Sequence, residues 1–328
     1  MKRFSILGWL FVCLVLGGGM GCGLKSDVTV VKLGHGLDPS HPVHQGMTFM
    51  AEKVTEKSAG RMRIDIYPSQ QLGTERELLE LLQLGSLGMT KVTAAVLESF
   101  EPQYKAFSVP YLFRDRDHHF RVLEGEIGTE LLLAGQAYWL RGLAYYDAGS
   151  RSFYTKSAPI HSPTDLVGLK IRTLESKTQV DMLQAMGGSA TPISWGELYT
   201  ALQQGVVDGA ENNPPSFLTA RHYEVCKYYS LDEHTTIPDV LLISTIVWET
   251  LTPQEQAWLQ EAADESVQYQ KQLWQVASDA ALEELANNGV EIVRPDKAPF
   301  VASVQSVYES FRADPVLYDL IQRIQQTP

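Results

Sequence analysis

Two polar side chains stand at the ends of short predicted strands, where they could bind a small anion. Arg172 lies near the carboxyl end of a strand predicted over residues 169–174, and Asn212 follows a strand predicted at Val206 and Val207. In open α/β folds, ligands collect beyond the carboxyl ends of strands. A guanidinium pairs with a planar carboxylate through two charge-assisted hydrogen bonds, so this arrangement indicates a carboxylate-binding site.

Three residues around this site have both a structural and a ligand-binding interpretation. Arg151 lies where the chain is expected to cross between two lobes, and an arginine there commonly forms a structural salt bridge. Asn212 can donate and accept hydrogen bonds, which suits a hydroxyl-bearing ligand, but it could also close an Asx turn before Pro214. Trp195 is by default a core aromatic, and beside Arg172 it could instead present a flat face to a sugar ring.

The elements that position these residues alternate between strands and helices. The first half of the chain predicts strands over residues 28–34, 62–67 and 89–94, with helices over residues 44–59 and 74–84 between them. This order predicts a parallel sheet with right-handed crossovers. Further along, a capping box from Ser194 to Glu197 predicts a helix. A strand over residues 240–247 returns to the first lobe, and a long helix over residues 253–287 could bridge both lobes.

A mature chain of ~300 residues predicts two lobes rather than one core. Neither a Pro/Ser-rich linker nor an internal repeat separates them, so we expect connecting strands to form a hinge. The expected division is residues 25–147 and 237–277 in lobe I, residues 148–236 in lobe II, and residues 278–328 mainly in lobe II and its helices.

Three motifs carry a specific resemblance to a known family. They are D-L-x-G-L-K-I-R-T (residues 165–173), T-P-I-S-W-G-E-L-Y-T-A-L-Q (residues 191–203) and V-D-G-A-E-N (residues 207–212). The chain resembles the solute-binding proteins of tripartite ATP-independent periplasmic (TRAP) transporters. The likeness also covers residues 67–73 and 109–113 and continues to about residue 300, so it spans almost all of the mature chain.

The resemblance implies an α/β fold of the two-lobe periplasmic-binding-protein type, with mostly parallel sheets flanked by helices and a long helix that bridges the lobes. It implies that Arg172 clamps the substrate carboxylate and that Arg151 adds a second polar contact. Asn212, Glu211 and Trp195 complete the predicted binding set on lobe II. His35 and Thr93 would contribute from lobe I, although the family varies with its ligand at these places.

The implied function is capture of a small organic anion and its delivery to TRAP membrane permease subunits, driven by an ion gradient without ATP. Segments 145–154, 211–213 and 232–239 resemble the sugar-acid branch of the family. They favour a hexuronate such as glucuronate or galacturonate, then a keto-sugar acid, then a C4-dicarboxylate. A sensor partner that presents its ligand to a receptor and an exported enzyme acting on carboxylated sugars are the alternatives from other classes.

The first 22 residues predict export. Lys2 and Arg3 precede an apolar run that is too short to span a bilayer, and small residues follow it, as in a secretory signal peptide of residues 1–21. Cys22 is a candidate lipoprotein site, at which acylation would tether the protein to a membrane, with simple cleavage nearby as the alternative. We therefore expect a periplasmic location.

Composition and motif searches exclude several other functions. The chain has 27 Lys and Arg residues against 39 Asp and Glu residues, a balance that argues against nucleic-acid binding. Cys226 would be the lone cysteine of the mature chain, so we expect a small buried apolar residue and no internal disulfide.

The spacing of His35, His41 and His44 matches no tight zinc signature, so no metal is predicted. The sequence contains none of the common nucleophile, zinc-protease, phosphate-loop or dinucleotide motifs, and we predict neither an enzyme nor a cofactor. Two charged pairs look like surface features: Glu75 with Arg76 at a helix start, and His118 with His119 in a charged loop.

Overall fold

The computed structural model describes residues 28–328. The predicted signal peptide and Cys22 lie outside these residues. The strands are β1 (Thr29–Gly34), β2 (Met62–Tyr67), β3 (Met89–Thr93), β4 (Leu140–Tyr146), β5 (Ser150–Thr155), β6 (Lys170–Thr173), β7 (Ser189–Pro192), β8 (Gly209–Asn212), β9 (Tyr228–Thr236), β10 (Asp239–Ser244) and β11 (Glu291–Val293).

Helices flank both faces of the sheets that these strands form. They are α1 (Pro42–Lys57), α2 (Glu75–Gln83), α3 (Ala94–Leu97), α4 (Arg116–Leu123), α5 (Glu126–Ala134), α6 (Lys177–Ala185), α7 (Leu198–Gln203), α8 (Pro214–Thr219), α9 (Thr245–Thr250), α10 (Pro253–Asn287), α11 (Ala298–Ser303), α12 (Gln305–Phe311) and α13 (Pro315–Gln326). Short 3₁₀ turns connect several of them, at Pro102–Ser108, Gly135–Tyr138, Pro163–Leu166, Trp195–Glu197 and His222–Glu224.

The strands form two sheets, which define two lobes. Lobe I contains the sheet β2-β1-β3-β10-β4, and lobe II contains the sheet β11-β9-β5-β8-β6-β7. In lobe I, β1 pairs in parallel with both β2 and β3, which confirms the parallel βαβαβ unit. Both sheets are mixed, because β10 runs antiparallel to its neighbours in lobe I and β5 does so in lobe II. The two-lobe α/β fold is confirmed.

The strands that connect the lobes are long and lie side by side. β4 ends in the first sheet at Tyr146 and β5 begins in the second at Ser150, while β9 ends in the second sheet at Thr236 and β10 begins in the first at Asp239. Two short crossings therefore form the connection. Their positions support the proposed division of the chain near residues 147 and 236.

Helix α10 packs against both lobes. Thr252 and Glu255 form a capping box at its start, with Pro253 in the first turn, and the helix spans the predicted residues 253–287. Leu259 near its beginning belongs to a core cluster of lobe I, and Leu285 near its end belongs to the core of lobe II. Among residues 28–328, no helix is long and apolar enough to span a membrane.

Three local predictions are wrong in detail. The strand expected at Val206 and Val207 begins instead at Gly209, because Asp208 first closes the ladder through its backbone and carboxylate bonds to Lys170. The return strand stops at Ser244, because its partner β3 begins only at Met89.

The predicted capping box and the first predicted helix also differ in detail. The Ser194 hydroxyl donates to the Glu197 carboxylate at 2.8 Å and makes no backbone cap, so the chain forms a 3₁₀ turn before α7. The first helix begins at Pro42 rather than at His44, because the His41 side chain accepts from the Val43 amide and caps it.

Candidate functional site

An enclosed cleft lies where the carboxyl ends of strands from the two lobes face each other. Lobe I contributes the turn after β1, the end of β3 and the start of α2, and lobe II contributes the ends of β6 and β8 and the turn before α7. This is the position that open α/β sheets favour for ligands. Its lining includes Arg172, Arg151, Asn212, Trp195 and Thr93 from the predicted set, together with Glu75, Lys91, Asp239, His41 and Ser216.

Arg172 is a buried cation without a counterion. Its side chain is 2% exposed, and its Nε donates to the carbonyl of Ile193 at 2.8 Å. Its Nη1 has no hydrogen-bond partner, and within residues 28–328 the guanidinium makes no ion pair. The carbon of the guanidinium lies 6.0 Å from the centre of the Trp195 ring, and burial lowers the pKa of Arg172. The cleft therefore contains an unmet positive charge with donors free for a planar anion.

Arg151 is equally buried but fully engaged with protein groups. Its Nε and Nη2 donate to the two carboxylate oxygens of Glu211, and its Nη1 donates to Oδ1 of Asn212 at 3.0 Å. Burial would raise the pKa of Glu211, but the charges of Arg151 and His234 lower it to about 2. The ion pair joins β5 to the adjacent strand β8 within lobe II, so it is not the interlobe salt bridge considered above.

Glu211 lies behind the cleft wall rather than in it. It is fully buried, and Nε2 of His234 lies 3.6 Å from its Oε2. Nδ1 of His234 in turn lies 2.9 Å from Oδ2 of Asp232. Despite burial, the two carboxylates raise the pKa of His234 to about 9. Glu211 thus positions Arg151, and its direct contact with a ligand remains a prediction.

The two asparagines at the end of β8 have different tasks. Oδ1 of Asn212 accepts from Arg151 and from the Asn213 amide, which leaves the Asn212 side-chain nitrogen to donate into the cleft. Oδ1 of Asn213 accepts from the Ser216 amide and caps α8. The capping role before Pro214 therefore belongs to Asn213.

The lobe I wall contains a charged network that the sequence analysis missed. Lys91 is 2% exposed, and its Nζ lies 3.1 Å from Oε1 of Glu75 and 3.2 Å from Oδ1 of Asp239. Burial lowers the pKa of Lys91, but the two carboxylates raise it above its ordinary value. The hydroxyl of Thr93 donates to the same Asp239 oxygen, and its amide donates to Glu75.

Glu75 is therefore not part of a solvated helix-end pair, as predicted, because the capping box of Thr74 and Glu77 turns the first residue of α2 toward β3. A lysine inside a strand whose five residues are all buried was the available signal for this wall. Two carboxylates face one lysine, so lobe I presents an excess of negative charge.

Of the nearby histidines, the one predicted to bind the ligand does not line the cleft. Nε2 of His35 lies 3.0 Å from Nδ1 of His44, its Nδ1 accepts from the Leu37 amide, and burial lowers its pKa to about 2. His41 lines the cleft instead, and its Nε2 lies 3.1 Å from the hydroxyl of Ser216 in lobe II.

The two lobes touch on several sides of the cleft. Besides the His41 contact, the amide of Gln179 donates to the carbonyl of Ser108 at 2.9 Å, and the hydroxyl of Thr178 donates to Glu98 at 2.9 Å. The Gln70 side chain lies so close to Gly196 that a Cβ there would meet its Oε1 at 1.9 Å. These interlobe contacts describe a closed form.

Metal binding has no support in the part of the chain that the structure describes. Residues 28–328 contain no group of three or more His, Cys, Asp or Glu side chains arranged to hold a metal ion. Cys226 is free and fully buried, as predicted, and burial raises its pKa to about 12.

Two α/β lobes closed over a polar cleft, with an unpaired cation inside, define a solute-binding protein that encloses a small anion. Residues 33–314 match the family of bacterial extracellular solute-binding proteins, family 7, and the chain belongs to this family. The resemblance to TRAP solute-binding proteins is confirmed.

Two solved structures and one further relative show how close the likeness is. A TRAP periplasmic solute-binding protein from Xanthobacter autotrophicus, with bound β-D-galacturonate, is 39% identical, with a TM-score of 0.88 over 91% of this chain and 100% of that one. One from Roseobacter denitrificans, with bound β-D-glucuronate, is 33% identical, with the same TM-score and coverage. The Salmonella typhimurium protein YiiZ is 40% identical over 299 residues, which cover 90% of this chain and 91% of that protein.

Proposed function

We propose that this protein captures a hexuronate outside the cytoplasm and delivers it to TRAP membrane subunits, and that it does not convert the ligand chemically. The observation that carries the proposal is the buried guanidinium of Arg172, which has free donors and no counterion among the described residues. An uncompensated buried charge is costly, and a bound carboxylate would offset that cost. Arg172 would therefore hold the carboxylate of the ligand.

The opposite wall indicates what the rest of the ligand carries. Glu75 and Asp239 line the lobe I side, where Lys91 balances only one of their two charges. Carboxylate oxygens accept hydrogen bonds from hydroxyl groups but repel a second carboxylate. This polarity favours a ligand with one acidic end and a hydroxyl-bearing body, and it disfavours a C4-dicarboxylate.

Two further groups suit a sugar ring. The side-chain nitrogen of Asn212 is available to donate to a ring hydroxyl. Trp195 lines the cleft beside Arg172 and offers an aromatic face to the C–H side of the ring. The galacturonate and glucuronate bound by the two solved relatives have these same features, and they support a hexuronate as the ligand.

The cellular setting is part of the proposal. The family is described as extracellular, and the relatives of known structure are described as periplasmic TRAP proteins. We propose that residues 1–21 are a cleaved signal peptide and that the protein acts in the periplasm, with acylated Cys22 as its membrane tether.

A ligand panel tests the proposal. Purified protein is titrated calorimetrically and melted with galacturonate, glucuronate, erythronate, succinate, malate and glucose. A ligand at a hundred times its dissociation constant adds about 2.7 kcal/mol of stability, which is easily seen. We expect saturable binding of a uronate, weaker binding of the dicarboxylates and none of glucose. Binding of succinate in preference to both uronates would contradict the ligand assignment, and turnover of the uronate would contradict a pure binding role.

A further inference from the structure

A second cavity of about 540 Å³ lies behind the hinge, on the face of the connecting strands opposite the cleft. Successive side chains of a strand point to opposite faces. On β5, Arg151 lines the cleft, while Ser150 and Ser152 line the second cavity. Side chains from lobe I, from β9 in lobe II and from α10 complete the wall, so the hinge cavity touches every element that moves when the lobes rotate.

Several buried polar atoms that belong to the wall of the hinge cavity have no hydrogen-bond partner. They are both ring nitrogens of His119, Oγ1 of Thr235 and Oγ of Ser278. His119 is 1% exposed and Thr235 is 2% exposed. Buried polar groups are nearly always hydrogen-bonded, so a cluster of unmet ones around a cavity indicates an occupant.

His119 differs in this respect from its neighbour. The predicted surface loop is wrong here, because both histidines are buried in α4. Nε2 of His118 lies 2.9 Å from the carbonyl of Ile324, and its Nδ1 accepts from the Arg114 amide. His118 therefore fastens the C-terminal helix, whereas His119 only packs edge-on against Phe113.

The charged groups of the same wall are already paired. Arg116 lies 2.8 Å from Asp147, Lys297 pairs with Glu233, and the Asp115 carboxylate accepts from the His118 amide. The guanidinium of Arg114 donates to backbone carbonyls near the C-terminus, and Arg294 is exposed. The unmet groups are therefore neutral.

Neutral donors and acceptors select a particular chemistry. Burial lowers the pKa of His119 to about 3, so its ring stays neutral, with one nitrogen that donates and one that accepts. Hydroxyl groups supply both functions, whereas an inorganic anion supplies only acceptors. Phe113, Leu231, Trp274 and Leu282 also line the hinge cavity and suit the C–H face of a polyol or sugar.

We infer that the hinge cavity is a second ligand site, which takes a neutral polyhydroxylated molecule of about hexose size. Rotation that opens the cleft in front of the hinge narrows the space behind it, so an occupant of the hinge cavity favours the closed form. Binding energies are reciprocal, so a uronate in the cleft also favours the occupant. Binding itself stands apart from the proposed function, while the coupling rests on it.

Calorimetric titration of the protein with mannitol, sorbitol and glucose, each at millimolar concentration, tests the site. We expect one of them to bind saturably in a one-to-one ratio and to raise the melting temperature. Nonspecific stabilisation by osmolytes is instead linear in concentration. If none of the three binds, the cavity holds water only and the inference is overturned.

Two substitutions locate the site. Thr235→Val and His119→Phe remove polar atoms that have no protein partner, so the ligand-free protein should keep or gain stability. Both should abolish binding of the polyol and leave uronate binding intact. Persistent polyol binding in both variants would overturn the assignment of the site.

Arg172→Ala separates the two sites. This variant should lose uronate binding and keep polyol binding; if it loses polyol binding as well, the polyol occupies the cleft and the inference fails. Saturating polyol should tighten galacturonate binding to the wild-type protein by about fivefold, the lower end of common allosteric couplings. Unchanged galacturonate affinity would overturn the coupling, whereas polyol binding by a protein that takes no uronate would overturn only the proposed function.

Discussion

Two arginines of lobe II have the same burial and opposite electrostatic surroundings. Arg151 and Arg172 are 4% and 2% exposed, and both line the cleft. Around Arg151, both oxygens of Glu211 and the side chain of Asn212 take up the guanidinium donors. Around Arg172, a single backbone carbonyl takes up one donor.

This difference separates a scaffold from a receptor. A guanidinium that is already neutralised by a neighbouring carboxylate has little to gain from a ligand, but it sets the position of Asn212. A guanidinium without a counterion raises the free energy of the empty closed form, and a ligand carboxylate removes that penalty. Binding and closure are then favoured together.

The comparison breaks most directly at Arg172. Arg172→Ala should weaken galacturonate binding by ~3–5 kcal/mol, a hundredfold or more, because the ligand carboxylate loses its partner in a desolvated site. Arg172→Lys should recover only part of this, since an ammonium cannot form the paired bonds. Calorimetry measures the affinity, and the exposed Arg63→Ala is the matched control.

The stability of the same variant gives a second measurement. The unfolding free energy of the ligand-free Arg172→Ala protein should equal or exceed the wild-type value, since the substitution removes an uncompensated buried charge. Urea denaturation measures it. A variant that keeps wild-type affinity, or that loses affinity only because it unfolds, would contradict the receptor role.

The opposite result is expected at the Arg151 pair. Glu211→Gln should lower the unfolding free energy by ~3–5 kcal/mol, because Arg151 would remain buried without its counterion. The double variant Glu211→Gln, Arg151→Met should regain much of the loss, since both charges are removed. Urea denaturation of the three proteins checks this, and a single variant as stable as the wild type would disprove the scaffold role.

The wall of lobe I should control selectivity with a smaller effect. Glu75→Gln should weaken galacturonate binding about tenfold, since hydrogen bonds to a charged group contribute ~1.5–3 kcal/mol. It should also narrow the preference for galacturonate over succinate, because one repelling charge is gone. Competition titrations measure the ratio, with exposed Glu80→Gln on the same helix as the control. An unchanged ratio would mean that Glu75 does not face the ligand.

The smallest effect is a pH dependence of the Arg151 region. The pKa of His234 rises from 6.5 to about 9 on folding, so its contribution to stability is fully present below pH 6.5 and is lost as the pH rises toward 9. The difference in unfolding free energy between wild type and His234→Gln should therefore shrink by about 1.4 kcal/mol for each pH unit in that window. Urea denaturation at several pH values measures it, and a difference that grows with pH would contradict a charged His234.

Much of the architecture was predictable because it depends on local patterns. Alternating apolar residues, a capping box at Thr252 and Pro253 in the first turn indicate strands and a long helix wherever they occur in a chain. The three family motifs likewise indicated Arg172 without any structural information. Errors arose where a boundary depends on a partner strand, as at Ser244, which ends when β3 runs out.

The sequence by itself determined the order of the elements, the two-lobe class and the carboxylate-binding motif, because each depends on residue type and spacing. Only the tertiary structure decided that Arg151 is neutralised while Arg172 is not, that Glu75 and Lys91 face the cleft, and that His35 does not. The electrostatic state of a buried group depends on which charges lie within a few ångströms of it. Those neighbours come from distant parts of the chain, and folding alone brings them together.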